Sequence, residues 1–191
     1  MSGRRVLVLL LAAFGAIATR EPPAAEPATN ETAAAREQAR SCERLNLEEG
    51  AAACRAALAL GIGPARRGAI RQALARHLVA LERWDELAEH YREDTRREPA
   101  NAAAWERLGR VLLFALDRRA EAIAAIEQAV RLAPTDAEPR VTLGLALAAE
   151  GRYPEAVAAL REALRLDPAV LGGRPASRAV LDAAERGQPW P

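Results

Sequence analysis

The sequence predicts an all-α chain built as a stack of helical hairpins. Three observations carry that expectation. Half of the residues are apolar but only 4% are aromatic; Ala dominates the apolar set, and Ala is the best helix former and lets neighbouring backbones come close. Residues that favour strands, such as Val, Ile, Thr and Tyr, are sparse. Small and apolar residues also recur at a spacing of 34 or 35 residues, the sign of stacked supersecondary units.

The first element is residues 1–18. Arg4 and Arg5 precede an uncharged apolar run from Val6 to Ala18 that closes with Ala16-Ile17-Ala18, the pattern of a secretory signal peptide. The run is 13 residues long, short of the ~20 that cross a bilayer as a helix; the alternative is an uncleaved N-terminal anchor. The first cysteine is Cys42, so lipid attachment at this junction has no support. Residues 19–32 hold Pro22, Pro23 and Pro27 among Ala and Glu and read as a stiff, disordered spacer with too little apolar surface to fold.

All 27 basic residues are Arg, set against 26 acidic ones for a formal charge of +1. Removing Arg4 and Arg5 leaves 25 basic and 26 acidic residues, a charge of −1. Arg alternates with Glu and Asp along the chain, which describes solvated helix faces and gives nucleic acid no basic stripe to bind.

The remaining elements follow from the repeat. Ala122, Ile126, Ala129, Leu132 and Pro134 recur 34 residues later as Ala156, Leu160, Ala163, Leu166 and Pro168. Leu74, Ala75 and Leu78 recur as Leu108, Gly109 and Leu112, then as Leu143, Gly144 and Leu147. The second interval is 35, which places one extra residue in the turn near Asp117-Arg118-Arg119. Small residues at Gly109 and Gly144 let the paired helix approach; Ala122 and Ala156 open that helix, and Ile126 and Leu160 fill the gap one turn on. Pro134 and Pro168 end it.

These residues resemble the tetratricopeptide repeat family. The match runs through Trp105, Leu108, Gly109, Ala122, Ala129 and Pro134 in residues 101–134. In residues 135–168 it runs through Leu143, Gly144, Gly151, Tyr153, Ala156, Ala163 and Asp167-Pro168. Residues 65–100 form a degenerate unit that keeps Leu74, Ala75, Leu78, Trp84, Tyr91 and Pro99 but departs at Leu87 and Asp94, where later units carry Ala. Residues 33–64 have the length of a first hairpin in a divergent register. Residues 169–191 should supply a capping helix, Arg174 to Arg186, whose Val180, Leu181 and Ala184 cover the end of the stack. The resemblance implies a right-handed α-solenoid of three to four hairpins with a C-terminal capping helix.

The resemblance also implies a groove for a protein or peptide partner, lined by the first helix of each hairpin. Projection of the family's groove positions selects Gln72, Arg76 and Val79, then Glu106, Arg110 and Leu113, then Val141 and Leu145. Arg76 and Arg110 are equivalent and should lie one repeat apart, either receiving a carboxylate or phosphate by bidentate hydrogen bonds or remaining solvated beside neighbours such as Glu106. The Lys and Asn clamp for C-terminal carboxylates found in some members is not at the matching positions.

Cys42 and Cys54 are the only cysteines and flank a turn expected near Asn46 to Glu48, so they can be level on facing helices and form a disulfide in an oxidising compartment; the alternative is a pair of buried free thiols. His77 and His90 lie at no zinc-like spacing and read as surface or boundary residues. No nucleophile comes with a partner and no phosphate loop is present, so the expectation is a protein-interaction scaffold of a bacterial cell envelope, not an enzyme, with no cofactor or metal. Its place would be periplasmic or secreted after cleavage, with no membrane insertion. The alternative is an inner-membrane anchor carrying periplasmic repeats, as a subunit of an envelope assembly or maturation complex. Trp190 lies between two prolines and could dock on the body or on a partner.

Overall fold

The computed structural model describes residues 31–188. The expectations for residues 1–18, for 19–30 and for Trp190 lie outside these. The described residues form nine α-helices and no strand: α1 Ala33–Arg44, α2 Leu47–Ala59, α3 Pro64–Ala80, α4 Trp84–Arg97, α5 Ala102–Phe114, α6 Arg119–Leu132, α7 Glu138–Ala149, α8 Tyr153–Leu166 and α9 Pro175–Glu185. Successive helices pair as α1–α2, α3–α4, α5–α6 and α7–α8, and α9 packs on both α7 and α8.

Local chemistry sets the ends of the helices. Thr32, Asn46 and Asn101 accept backbone N–H groups from the first turns of α1, α2 and α5. The cap residues Glu98, Ala133 and Asp167 each precede a proline, which disfavours the helical conformation for them; their ψ values are 68°, 71° and 102°. The α5–α6 turn, Ala115–Arg118, is one residue longer than Leu81–Arg83 and Glu150–Arg152, which locates the 35-residue interval. One position in each of these turns takes a left-handed φ: Glu82 at 54°, Asp117 at 50° and Gly151 at 78°. Only Gly151 meets it without a Cβ penalty.

The seam inside each later hairpin is closed by the small residues that the repeat singles out. A Cβ on Gly109 would stand 2.4 Å from Ile126 Cγ1 and 3.3 Å from the Ala122 carbonyl. A Cβ on Gly144 would stand 2.5 Å from Leu160 Cγ and 3.3 Å from the Ala156 carbonyl. Ala122, Ile126, Ala156 and Leu160 are fully buried. The degenerate unit carries Ala75, Leu87 and Tyr91 at these places, so α3 and α4 are held apart.

Apolar packing divides into two clusters. One joins α1–α3 with Leu87 of α4; the other joins α5–α9 with Ala88 of α4. Tyr91 and Val111 touch both. The second cluster is closed by α9, whose Val180, Leu181 and Ala184 are buried; its N-cap residue Arg174 makes a two-pronged bond to Glu138, 2.7 Å on each side.

In the first pair the turn falls at Leu45–Asn46, and Cys42 and Cys54 face each other with Cα atoms 4.6 Å apart and both side chains fully buried. His77 of α3 reaches over this pair. Its Nε2–H donates to the Cys42 carbonyl at 2.9 Å, a group near the open end of α1, and its ring lies where a Cβ on Gly50 would be 2.7 Å away.

Gly109→Ala should therefore lower stability by about 1–3 kcal/mol despite its better helix propensity. Gly68→Ala in α3, where no atom lies within 4 Å of the added methyl, should raise it by about 0.5–1 kcal/mol. Chemical denaturation of both variants reads the difference, and equal effects would mean that the α5–α6 seam is looser than described.

Candidate functional site

The departures of the degenerate unit are paired. Arg71 stands where the next unit has Trp105, and Asp94 stands where it has Ala129. Both positions face the α3–α4 seam, and the two side chains meet there: Arg71 Nε bonds Asp94 Oδ1, and Arg71 Nη2 donates to the His90 carbonyl at 3.0 Å. The pair is largely enclosed, with side-chain exposures of 13% and 21%. An ion pair thus replaces an indole and a methyl group.

His90 sits beside this pair, with its imidazole 6% exposed and Nε2 at 3.7 Å from Asp94 Oδ2. The residue as a whole is half-buried, the boundary position expected of it, although its ring is enclosed. Burial holds its pKa below the ordinary value, the Arg71 charge adds to that, and Asp94 opposes both. The neighbouring Tyr91 hydroxyl is pushed up by burial, against the pull of Arg107 and Arg110.

Because α3 and α4 are splayed, a cleft of about 580 Å³ opens between α3, α4 and α5. Gln72, Arg76 and Val79 of the expected groove line it, together with Arg107, which the sequence reading did not select. A second cleft of about 530 Å³ continues toward the C-terminal ends of α3 and α5. Its walls are Trp84, Val111 and Phe114 with Arg110, and it shares Val79, Tyr91 and Arg107 with the first. Phe114 and Val79 are among the few large apolar side chains left exposed.

The other expected groove residues fall elsewhere. Leu113 and Val141 are core residues, 7% and 3% exposed, because α5 packs on α7 and α7 on α9, which covers both positions. Leu145 is half-buried against the same core. Glu106 is half-buried, 3.5 Å from the Thr142 hydroxyl that donates to it; burial raises its pKa, Arg110 lowers it, and Glu138 and Asp136 raise it again. Arg110 is near Glu106 without forming a hydrogen bond to it among the described residues. Trp84 and Trp105 are half-buried, and Trp105 Nε1–H donates to the Pro99 carbonyl at 2.9 Å.

More than half of the described arginines pair with a nearby carboxylate, from Arg55–Glu86 to Arg174–Glu138; those that do not include Arg36, Arg67, Arg131 and Arg178 outside the clefts. Among the described residues Arg76, Arg107 and Arg110 form no ion pair, and all three line the two connected clefts. The guanidinium plane offers two parallel N–H donors, so these positions are suited to a carboxylate or phosphate.

Asp94→Ala should cost about 2–4 kcal/mol, since it leaves Arg71 enclosed without its counter-charge. Arg71→Trp combined with Asp94→Ala restores the residue types of the next unit and should recover most of that loss. Urea unfolding of the three proteins tests the coupling; simple additivity would contradict it. For His90, a depressed folded pKa means that the unfolded chain takes up a proton first. Stability should be flat above about pH 6.5 and fall as pH drops below it, and His90→Gln should remove that part of the acid slope.

Comparison with known proteins gives the same architecture. A profile of the tetratricopeptide repeat matches residues 73–137 and 112–170. No curated protein matches the chain. Among solved structures, MamA residues 41 to the end from Desulfovibrio magneticus RS-1 is 20% identical, with a TM-score of 0.60 over 82% of this chain and 92% of that one. The TPR2B domain of yeast Sti1, from its pHsp70 complex, is 21% identical, with a TM-score of 0.55 over 62% of this chain and 95% of that one. YrrB, described as a TPR protein with an unusual peptide-binding site, is 24% identical, with a TM-score of 0.54 over 81% of this chain and 83% of that one. The repeat profile spans half of the sequence, the nine helices stack in pairs, and the chain belongs to the tetratricopeptide repeat family.

Proposed function

We propose that this protein is a non-enzymatic interaction scaffold that holds a segment of a partner protein in the groove between α3, α4 and α5. The observation that carries the reading is the set of three guanidinium groups, Arg76, Arg107 and Arg110, that line connected clefts and lack carboxylate partners among the described residues. Other described arginines also lack an ion pair, among them Arg131, Arg140 and Arg178, but these three share connected clefts, where a charged partner is enclosed and gains most. Family membership supports the same reading, as does the peptide-binding site of the structurally similar YrrB.

The cell envelope is the proposed location. The closeness of Cys42 and Cys54, with Cα atoms 4.6 Å apart, supports a disulfide, which would persist in an oxidising compartment, and Arg4, Arg5 and the apolar run to Ala18 fit an export signal. No helix among the described residues is long and apolar enough to cross a membrane. A retained N-terminal segment would make the repeats the periplasmic arm of a membrane-bound assembly or maturation complex.

Affinity capture from envelope extract should recover a partner with the native chain and lose it with Arg76→Ala/Arg110→Ala. Retention of every partner at full strength would overturn the groove. Mature protein beginning at Thr19, with Cys42 and Cys54 linked in non-reducing mass mapping, is the outcome expected for export; free thiols in that material would remove the oxidised pair.

A further inference from the structure

At the C-terminal end of the stack another cleft, of about 520 Å³, lies between α8 and α9. Tyr153, Pro154 and Val157 of α8 form one wall, and Ala184 with Gly187 at the end of α9 forms the other. Tyr153 and Val157 are half-buried on the larger apolar cluster, and Pro154 is exposed. The two charges on the rim cancel, since Arg161 donates to Glu185 from Nη2 at 2.9 Å and from Nε at 3.2 Å. What remains is an apolar and aromatic hollow. The chain leaves α9 at its edge. Gly187 takes a φ of 64°, its N–H donates to the Ala184 carbonyl, and that of Gln188 donates to the Ala183 carbonyl, both at 3.0 Å. These paired bonds close a helix through a left-handed glycine. Arg186 Nε also donates to Gln188 Oε1 at 2.9 Å, so the exit point is fixed. Trp190 follows Gly187 by three residues, a reach of about 10 Å in extended chain.

We infer that this hollow is the seat of the chain's own Trp190, whose indole lies across Tyr153, Pro154 and Val157 and extends the cap that α9 begins. The chemistry matches on both sides. An indole carries a large apolar surface whose flat face packs on aromatic and proline rings, and covering Tyr153, Pro154 and Val157 removes exposed apolar area from water. Tethering favours this occupant over any free one. A group held three residues from the rim is present at an effective concentration of about millimolar, which a separate partner has to exceed. The prolines on either side of Trp190 lower the cost of docking. Pro189 fixes its own φ and restricts Gln188, and Pro191 restricts Trp190, so less backbone freedom is lost when the indole settles. The hollow is then filled from within and closed to partners. The inference does not depend on the groove between α3, α4 and α5, which belongs to other helices.

Proton–nitrogen correlation NMR of the purified full chain tests the inference through its indole N–H signals. The chain has three tryptophans, and Trp190→Ala identifies the signal of Trp190 by removing it. Nuclear Overhauser contacts are expected from the Trp190 ring to the Val157 methyl groups. Val157→Asp should move the Trp190 signal to the position of free N-acetyltryptophanamide and leave the signals of Trp84 and Trp105 in place. Because Val157 is half-buried, Pro154→Ser at an exposed position provides a second variant; a dispersed backbone spectrum verifies its fold, and it should shift the Trp190 signal in the same direction. A Trp190 signal at the free position in the native chain, without contact to Val157, would overturn the inference. So would folded variants in which the Trp190 signal does not move, since the indole would then be seated elsewhere. Contacts found only between differently labelled copies in a mixed sample would also overturn it, because the hollow would be holding the tail of a second copy.

Discussion

The close approach of two helices within a hairpin sets the terms for everything else in this molecule. At Gly109 against Ile126, and at Gly144 against Leu160, there is no room for even one methyl group. That proximity lets short helices of 12 to 14 residues bury enough of their surface to persist, although isolated helices of that length are marginal in water. It also fixes the angle at which one hairpin meets the next, and hence which side chains are covered and which are left facing outward. Leu113 and Val141 are core residues because neighbouring helices then cover them.

Where the constraint is relaxed, the surface becomes different in kind. Ala75, Leu87 and Tyr91 keep α3 and α4 apart, Arg71 and Asp94 fill part of the gap with charge, and the space left over forms the two clefts. Such an ion pair is a weak contributor to stability compared with apolar packing of the same volume. The unit is therefore less well packed than its neighbours and carries the polar groups that a binding site needs. The apolar clusters on either side meet chiefly through Leu87, Ala88, Tyr91 and Val111, so the site lies at the junction between them.

Much of the architecture could be read from spacing, because a repeat exposes the same physical demand several times. The prolines after α4, α6 and α8, the small residues in the seams and the longer α5–α6 turn all show by self-comparison. The cap was legible because Val180, Leu181 and Ala184 lie on one helical face. The site was only half legible. Gln72, Arg76, Val79 and Arg110, selected by projection, line the clefts, but burial of Leu113 and Val141 depends on which helix covers them, and spacing within one helix does not contain that. Arg71 and Asp94 looked like two more charges in a chain full of them. The signal was their exchange together, a lost indole at one core position and a gained carboxylate at another. Arg107 and Phe114 had no such marker, since exposure next to a splayed seam is a property of the assembled helices.

The last helix has a consequence for how the protein behaves in a crowd. A stack of hairpins ends in an apolar face that matches the face at its other end, and copies with open ends can join head to tail without limit. Here α9 lays Val180 and Leu181 across that face, and Arg174 clasps Glu138 over its edge. A second copy approaching this end would meet the eleven residues of α9 instead of the open face of α7 and α8.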